Sequence, residues 1–467
     1  MTLARTTRAT TARTPRRAPA DLPFDFADRG LAEALAAERD EPAWLRDERL
    51  AAFAAFESLP VESNQLYTPY IDLRAADLFG VRPFVRTASA SAATTDAAVA
   101  VPAGTSGLIE LDEDGVSSIG LSESARARGV VLETFGAAMA RDAAAFRTEL
   151  EGGALLLASD KLAMLTRAFW SQGVRLLIPD GVSLDEPFVL RWAAGAPDRA
   201  LLTRTFVRLG KGAKVALVED LGASRRPTAA SGGQSLFAGT LEIDLAANAE
   251  LRVASIQDFG PSQVVLQHRQ AAIGAGANLH WALAQLGGRL VRSRVDNRLE
   301  GDRSSVEQVE IVFGANEQLF DLTSYTRHVG RDTTGNLLSK GVLIDAARTY
   351  MKGMITIDKT AVGTDSFLGE FGMNLSKKTR SVAIPSLEID QPDCRRAAHS
   401  SSVGPIDESQ LFYLESRGIP PDEARKFIVL GFLEPVVARM PLDDERERLR
   451  DLLEAKWNAG LESAAAA

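Results

Sequence analysis

The chain has 467 residues, 45% of them hydrophobic, with 53 Lys plus Arg against 62 Asp plus Glu, a formal net charge of −9, four histidines and one cysteine. The length allows roughly two to four domains, and the acidic balance gives no reason to expect a nucleic-acid groove. With Cys394 as its single cysteine, the chain alone cannot form an intrachain disulfide, a four-cysteine zinc site or a cluster held by four of its own thiolates. No apolar run reaches the ~20 residues that span a bilayer.

The first segment is basic: Arg5, Arg8, Arg13, Arg16 and Arg17 precede the first acidic residue, Asp21. It has too little hydrophobicity to offset its ordering entropy, which predicts a disordered tail over 1–22. The composition mimics a transit peptide but lacks the apolar stretch of a secretory signal, so the cytoplasm is the expected compartment. Residues 23–150 then read as an N-terminal mixed, mainly helical region. Leu31, Leu35, Trp44, Leu45, Leu50, Phe53 and Phe56 recur at helical spacing over 25–59, interrupted at Pro42 and ended by Pro60. An Ala/Ser/Thr stretch over 87–100 reads as loop, and 132–150 and 160–170 as further helices.

From 151 to 395 the character changes to short β-branched runs. Strands are predicted over 174–179, 188–192, 203–209, 213–218, 239–245 and 250–256. A weak phrase accompanies them, beginning at Gly210, Ala246, Gly274 and Gly301: small residues, then a branched apolar residue at Val215, Leu251, Leu279 and Val306. Small residues suit a tight corner feeding a new strand, and a repeated corner is the mark of a solenoid, in which each coil buries its apolar face only against its neighbours. The expected fold is therefore mainly β: a right-handed parallel β-helix core flanked by an N-terminal α/β region and a C-terminal helical domain. A large β-sandwich is the alternative.

Residues 396–467 return to helix. Asp407 followed by Gln410 has the form of a capping box, Leu411 and Leu414 give a stripe, and Gly418 is a natural stop. Pro420 and Pro421 can open a second helix, whose expected apolar face is Ala424, Phe427, Ile428, Gly431 and Phe432 before Pro435. A charged last helix over 443–457 carries Leu449, Leu452 and Leu453 on its inner side.

Motifs exclude more than they assign. Gly330 to Gly335 has the glycine spacing of a phosphate loop, but Asn336 and Leu337 stand where lysine and a hydroxyl residue are required. Gly210/Gly212 and Gly274/Gly276 lack the third glycine of a dinucleotide fingerprint, and neither a nucleophile elbow nor a His-Glu-x-x-His zinc motif occurs. His268, His280 and His328 read as surface or hydrogen-bonded sheet residues. His399 differs because Cys394 lies five residues before it, and a thiolate and an imidazole both suit a borderline metal such as iron. A buried unreactive cysteine beside a surface histidine is the other reading of the same spacing.

The segments 374–389, 398–404 and 407–420, which contain Leu375-Ser-Lys377, Pro385, Leu387-Glu-Ile389, His399 and Gly418, closely resemble the SufB/SufD family of iron–sulfur cluster assembly scaffolds, with the SufD branch the better match. Weaker similarity extends upstream through Asp321 to Gly341 and Asp160 to Leu190, so the resemblance covers most of the chain from about residue 150 onward. The resemblance implies the β-helical fold just described, with pairing to a SufB paralogue through the β-helices, and a SufC ABC-type ATPase docked on the C-terminal helices. The contact set implied for SufC is Asp407, Leu411, Phe412, Tyr413, Arg417, Gly418, Phe427, Ile428 and Phe432. His399 matches the family's histidine after the last core strands. The family's cysteine two residues before it is Ala397 here, with Cys394 three residues further upstream, and Ser400 follows where SufB has glutamate. On this reading the chain is no enzyme. His399, together with Cys394, lends ligands to iron or a transient Fe–S cluster shared with SufB, and no cofactor is permanently bound. A homodimer is the expected assembly when SufB is absent. The competing readings are the SufB scaffold itself, a purely structural subunit, and a β-helical polysaccharide-cleaving enzyme, which would be expected to carry an export signal and a charged catalytic cluster.

Overall fold

The structure is a computed structural model and describes residues 17–84, 101–153, 158–223 and 233–466. The basic run through Arg16 and the 87–100 stretch lie outside those residues. Two ten-stranded sheets share one winding. The first runs Val131–Thr134, Gln172–Ile178, Arg199–Leu209, Ser235–Leu245, Gln263–Ile273, Leu290–Leu299, Leu319–His328, Arg348–Ile357, Arg380–Ile389, with Arg82–Pro83 paired to Arg199–Leu209 off this path. The second runs Gly115–Leu121, Gly107–Asp112, Phe188–Ala194, Lys214–Ala223, Glu250–Asp258, Asn278–Gln285, Ser305–Gly314, Thr334–Leu343, Asp365–Asn374, Arg396–Gly404. From Gln172 onward the chain alternates between the sheets and every pairing is parallel, which makes a β-solenoid of about 8 turns.

The repeated phrase is the corner that carries the chain from the first sheet to the second. Its third residue is left-handed in successive coils: Gly212, Asn248, Gly276, Arg303, Asp332 and Gly363 have φ of 66, 59, 65, 58, 55 and 76°. Each donates its amide to the second residue of the next corner, as Asn248 does to Ala275 and Arg303 to Arg331, both at 2.8 Å. The corner thus continues the ladder through the turn. Glycine, asparagine and aspartate tolerate this conformation best, which is why they recur there. The run Gly330 to Gly335, with its phosphate-loop spacing, is one more copy of this corner.

Inside the solenoid a continuous cluster extends from Ile109 to Met351. The outer face of the first sheet is covered by the helices Arg29–Glu38, Ala43–Ser58 and Lys161–Phe169, whose Phe53, Phe56, Leu165 and Phe169 pack on Leu202, Leu236, Val264 and Leu290. The outer face of the second is covered by Pro421–Val437 and Asp443–Ala466, whose Val429, Leu433, Val436, Leu449 and Leu453 meet Ile256, Val309, Ile311 and Val342. Each fully buried Leu, Val or Phe contributes about 1.5–3 kcal/mol, so both helical layers are held to the solenoid by its own outward rows. Asp160 caps Lys161–Phe169 by accepting from the Ala163 amide at 2.8 Å and pairs with Arg294 at 3.0 Å. One carboxylate thereby fixes the start of the helix and its seat on the sheet.

Three local expectations change. Residues 396–404, expected to open the helical region, form the last strand of the second sheet, because they continue the parallel ladder on Asp365–Asn374, and helix begins only at Glu408. Residues 131–134 are not helical but form an edge strand antiparallel to Gln172–Ile178, with the helix beginning at Phe135; pairing at the sheet edge overrides the local helical pattern. The buried face of Pro421–Val437 is Ala424, Val429, Leu433, Val436 and Val437, leaving Phe427 61% exposed.

Candidate functional site

Strand register identifies the end of the solenoid where the chemistry of the C-terminal segment gathers. Arg380–Ile389 and Arg396–Gly404 are the last strands of their sheets, so one side of each has no strand beyond it among the described residues. His399 is the register partner of Leu368, which follows Leu337, Gln308 and Trp281 in one inward-facing row. Leu368 is fully buried, whereas His399 is exposed because no further coil covers it. The imidazole therefore stands in the mouth of the solenoid, without a hydrogen bond or ion pair to the described residues.

Cys394 occupies the third corner position of the last coil: the amide of Gly363 donates to Asp393, the residue before it, at 2.8 Å. Its backbone is not left-handed, so the repeat breaks here. The thiol is half-buried and packs with Ala397 against Leu337, Ile355 and Leu368. Strand alternation puts Ala397 and His399 on one face. The structure thus places both predicted residues in the terminal coil, Cys394 at the corner and His399 in the strand it feeds. Among the described residues no three His, Cys, Asp or Glu side chains form a group able to hold a metal ion.

One residue of the mouth escaped sequence reasoning. Glu370 follows Ser339 and Glu310 in the adjacent inward row and faces Ser401. Its carboxyl is 1% exposed, and burial pushes its pKa up to about 8 although the Ile384 amide donates to it at 2.7 Å. Gly353 makes the room, since a Cβ there would lie 2.9 Å from the Glu370 oxygen. A protonatable group thus lies on the strand paired with that of His399, in the neighbouring inward row.

The remaining histidines have structural roles. His328 is fully buried, bonded to Thr333 Oγ1 at 2.8 Å and Ser366 Oγ at 3.0 Å, and burial lowers its pKa to about 4. His268 pairs with Asp296 at 2.6 Å, and His280 lies 3.5 Å from Glu307 on the outer surface.

The residues expected to meet an ATPase lie on two adjoining helices, Glu408–Ser416 and Pro421–Val437. Asp407 caps the first by accepting from the Ser409 amide at 2.8 Å, and Gly418 ends it at φ 86°. Phe412 and Tyr413 are 72% and 58% exposed. Arg417 lies over the Tyr413 ring, Lys340 over that of Phe432, and Leu411, Ile428 and Phe432 are half-buried.

The fold defines the protein as a β-solenoid with helical layers on both sheets. The family model "SUF system FeS cluster assembly, SufBD core domain" matches residues 192–432, and the chain belongs to that family. It is 28% identical to the iron-sulfur cluster assembly protein SufD of Bacillus subtilis over 63% of this chain and 67% of that protein. It is 24% identical to an iron-sulfur cluster assembly SufBD family protein of Staphylococcus epidermidis over 91% of this chain and 92% of that one. No helix among the described residues is long and apolar enough to cross a membrane.

Proposed function

We propose that the chain is the SufD-type subunit of a cytoplasmic SUF assembly complex, pairing with a SufB paralogue and a SufC ATPase. The carrying observation is His399, an exposed imidazole where an inward-facing row ends at the mouth of the solenoid, open to a residue of another chain. Two ligands from this chain, His399 and Cys394, leave a cluster's usual four protein ligands incomplete, so the rest come from SufB and the product can be released. The transient cluster or iron is cargo, and ATP hydrolysis belongs to SufC. Docking of SufC on Phe412, Tyr413 and Phe427 lets movement of its dimer act on Glu408–Ser416 and, through it, on Pro421–Val437, which packs on the solenoid.

Co-expression with SufB and SufC, followed by affinity purification and iron and sulfide determination, tests this. The expected result is a complex containing all three chains, lost from SufC when Phe427 and Tyr413 are both replaced by Ser. A chain that purifies alone beside both partners, or one that replaces SufB in cells lacking SufB, overturns the SufD reading.

A further inference from the structure

The second set of corners, which returns the chain from the second sheet to the first, changes its charge in the last coil. Earlier turns carry Asn316 and Glu317, then Asp345; the last carries Lys377 and Lys378, followed by Arg380. Arg380 is the register partner of Arg348, so two guanidinium side chains start adjacent strands side by side, an arrangement that is unfavourable without a counter-charge.

None of these four cations makes an ion pair within 4 Å among the described residues. Asp72, whose carboxylate feels Arg348, is already held by Arg74 through bonds of 2.8 and 2.7 Å. On the other side of the same coils two arginines are paired, Arg327 with Asp358 at 2.9 Å and Arg396 with Asp365 at 2.6 Å. The uncompensated charge is therefore local, in a chain that is acidic overall.

Beside these cations the turn borders a groove of about 320 Å³, lined by Leu375, Ile406, Leu411 and Trp457, with Glu408 and Arg425, of opposite charge, also on its wall. We infer that this corner and groove bind an acidic peptide segment of a partner protein, with carboxylates on Lys377, Lys378, Arg348 and Arg380 and an apolar side chain in the groove. Charge complementarity selects the acidic residues, and the apolar lining selects a peptide over a bare phosphate. The turn is held ready, since Thr379 Oγ1 donates to the Ser376 carbonyl at 2.6 Å and Ser376 Oγ accepts from the Asp345 amide at 3.0 Å. This inference goes beyond the assembly reading and does not depend on which subunit the chain is.

The test is fluorescence anisotropy on the full chain with a labelled Asp-Glu-Phe-Asp-Glu-Leu peptide. Lys377 and Lys378 are exposed, so the Lys377→Glu/Lys378→Glu variant is expected to keep its melting temperature. It should bind about tenfold more weakly or worse, as should the unchanged chain when salt rises from about 50 to about 300 mM and the screening length more than halves. A second peptide with Ser for Phe and Leu should also bind more weakly. Undiminished binding to the charge-reversed variant overturns the proposal. So does equal binding of the two peptides together with displacement by sodium triphosphate, which would mark a simple anion site instead.

Discussion

Leu368 and His399 are register partners in adjacent strands, yet the leucine is fully buried and the histidine is exposed. The difference comes from position in the winding: an inward side chain is covered only when another coil follows. His399→Ala should therefore leave the melting temperature within about 1 °C, since it removes no buried contact, while iron–sulfur enzyme maturation in a complementation strain falls sharply. Unchanged maturation would remove His399 from the site.

The corner ladder predicts opposite effects for two residues at equivalent positions. Arg303 adopts φ 58° with a side chain that gains nothing from it, so Arg303→Gly should stabilise by about 0.5–1 kcal/mol, after the glycine's extra unfolded-state entropy is set against the relief of strain. Gly276→Ala should destabilise by about 1–3 kcal/mol, because φ is 65° and the new Cβ would lie 2.4 Å from Asn248 Oδ1. Urea denaturation of both variants measures the two signs together.

The buried ion network under the N-terminal helices should be sensitive to loss of a single member. Asp160 serves Arg294 at 3.0 Å, Arg292 at 3.5 Å and the Ala163 amide at once, and the two arginines hold its carboxyl well below the usual carboxylate range against the burial that opposes them. Asp160→Asn keeps a capping oxygen but removes one of the carboxylates shared by Arg292 and Arg294, which retain Glu62 and Asp296, at a cost of about 1.5–3 kcal/mol. Hydrogen exchange should show Lys161–Phe169 opening first; a loss below about 1 kcal/mol would mean that solvent reaches the network.

Much of this architecture is legible in the sequence. The strands predicted at 203–209, 239–245 and 250–256 lie within Arg199–Leu209, Ser235–Leu245 and Glu250–Asp258, because branched residues and small corners mark each coil locally. The hairpin of Gly107–Asp112 and Gly115–Leu121 was missed although Asp114-Gly115 is a turn signal, with Gly115 at φ 117°. Glu370 was not legible, since its burial depends on pairing across coils and on the space left by Gly353. The exposure of Phe427 was hidden for a similar reason: apolar spacing shows that a helix has a face, but the solenoid surface beneath chooses which one is buried.

Glu370 should make stability fall with rising pH. A carboxyl whose pKa is raised by burial from 4.5 to about 8 in the folded chain remains protonated there, while the unfolded chain has lost its proton. The folded state then binds more protons between these values, and stability declines across that window. Glu370→Gln removes the titration and should gain on the unchanged protein as pH goes from 5 to 8, reaching about 2–4 kcal/mol. Thermal melts at both pH values check it, and a pH-independent difference would mean that the folded carboxyl ionises normally.

His328 works in the opposite direction. Its imidazole is fully buried and bonded to two hydroxyls, and burial lowers its pKa from 6.5 to about 4. Between pH 6.5 and 4 the unfolded chain takes up a proton that the folded chain refuses, so stability drops as pH falls through that window, by up to about 3 kcal/mol. His328→Gln keeps a group able to reach one hydroxyl and cannot titrate. It should cost about 1–2 kcal/mol at pH 7 through imperfect packing and one lost bond, but the gap to the unchanged protein should close as pH approaches 4. Parallel denaturation curves at pH 7 and 4.5 decide this, because a gap that stays constant would show that His328 is charged inside the solenoid and that its two hydroxyl partners are both acceptors.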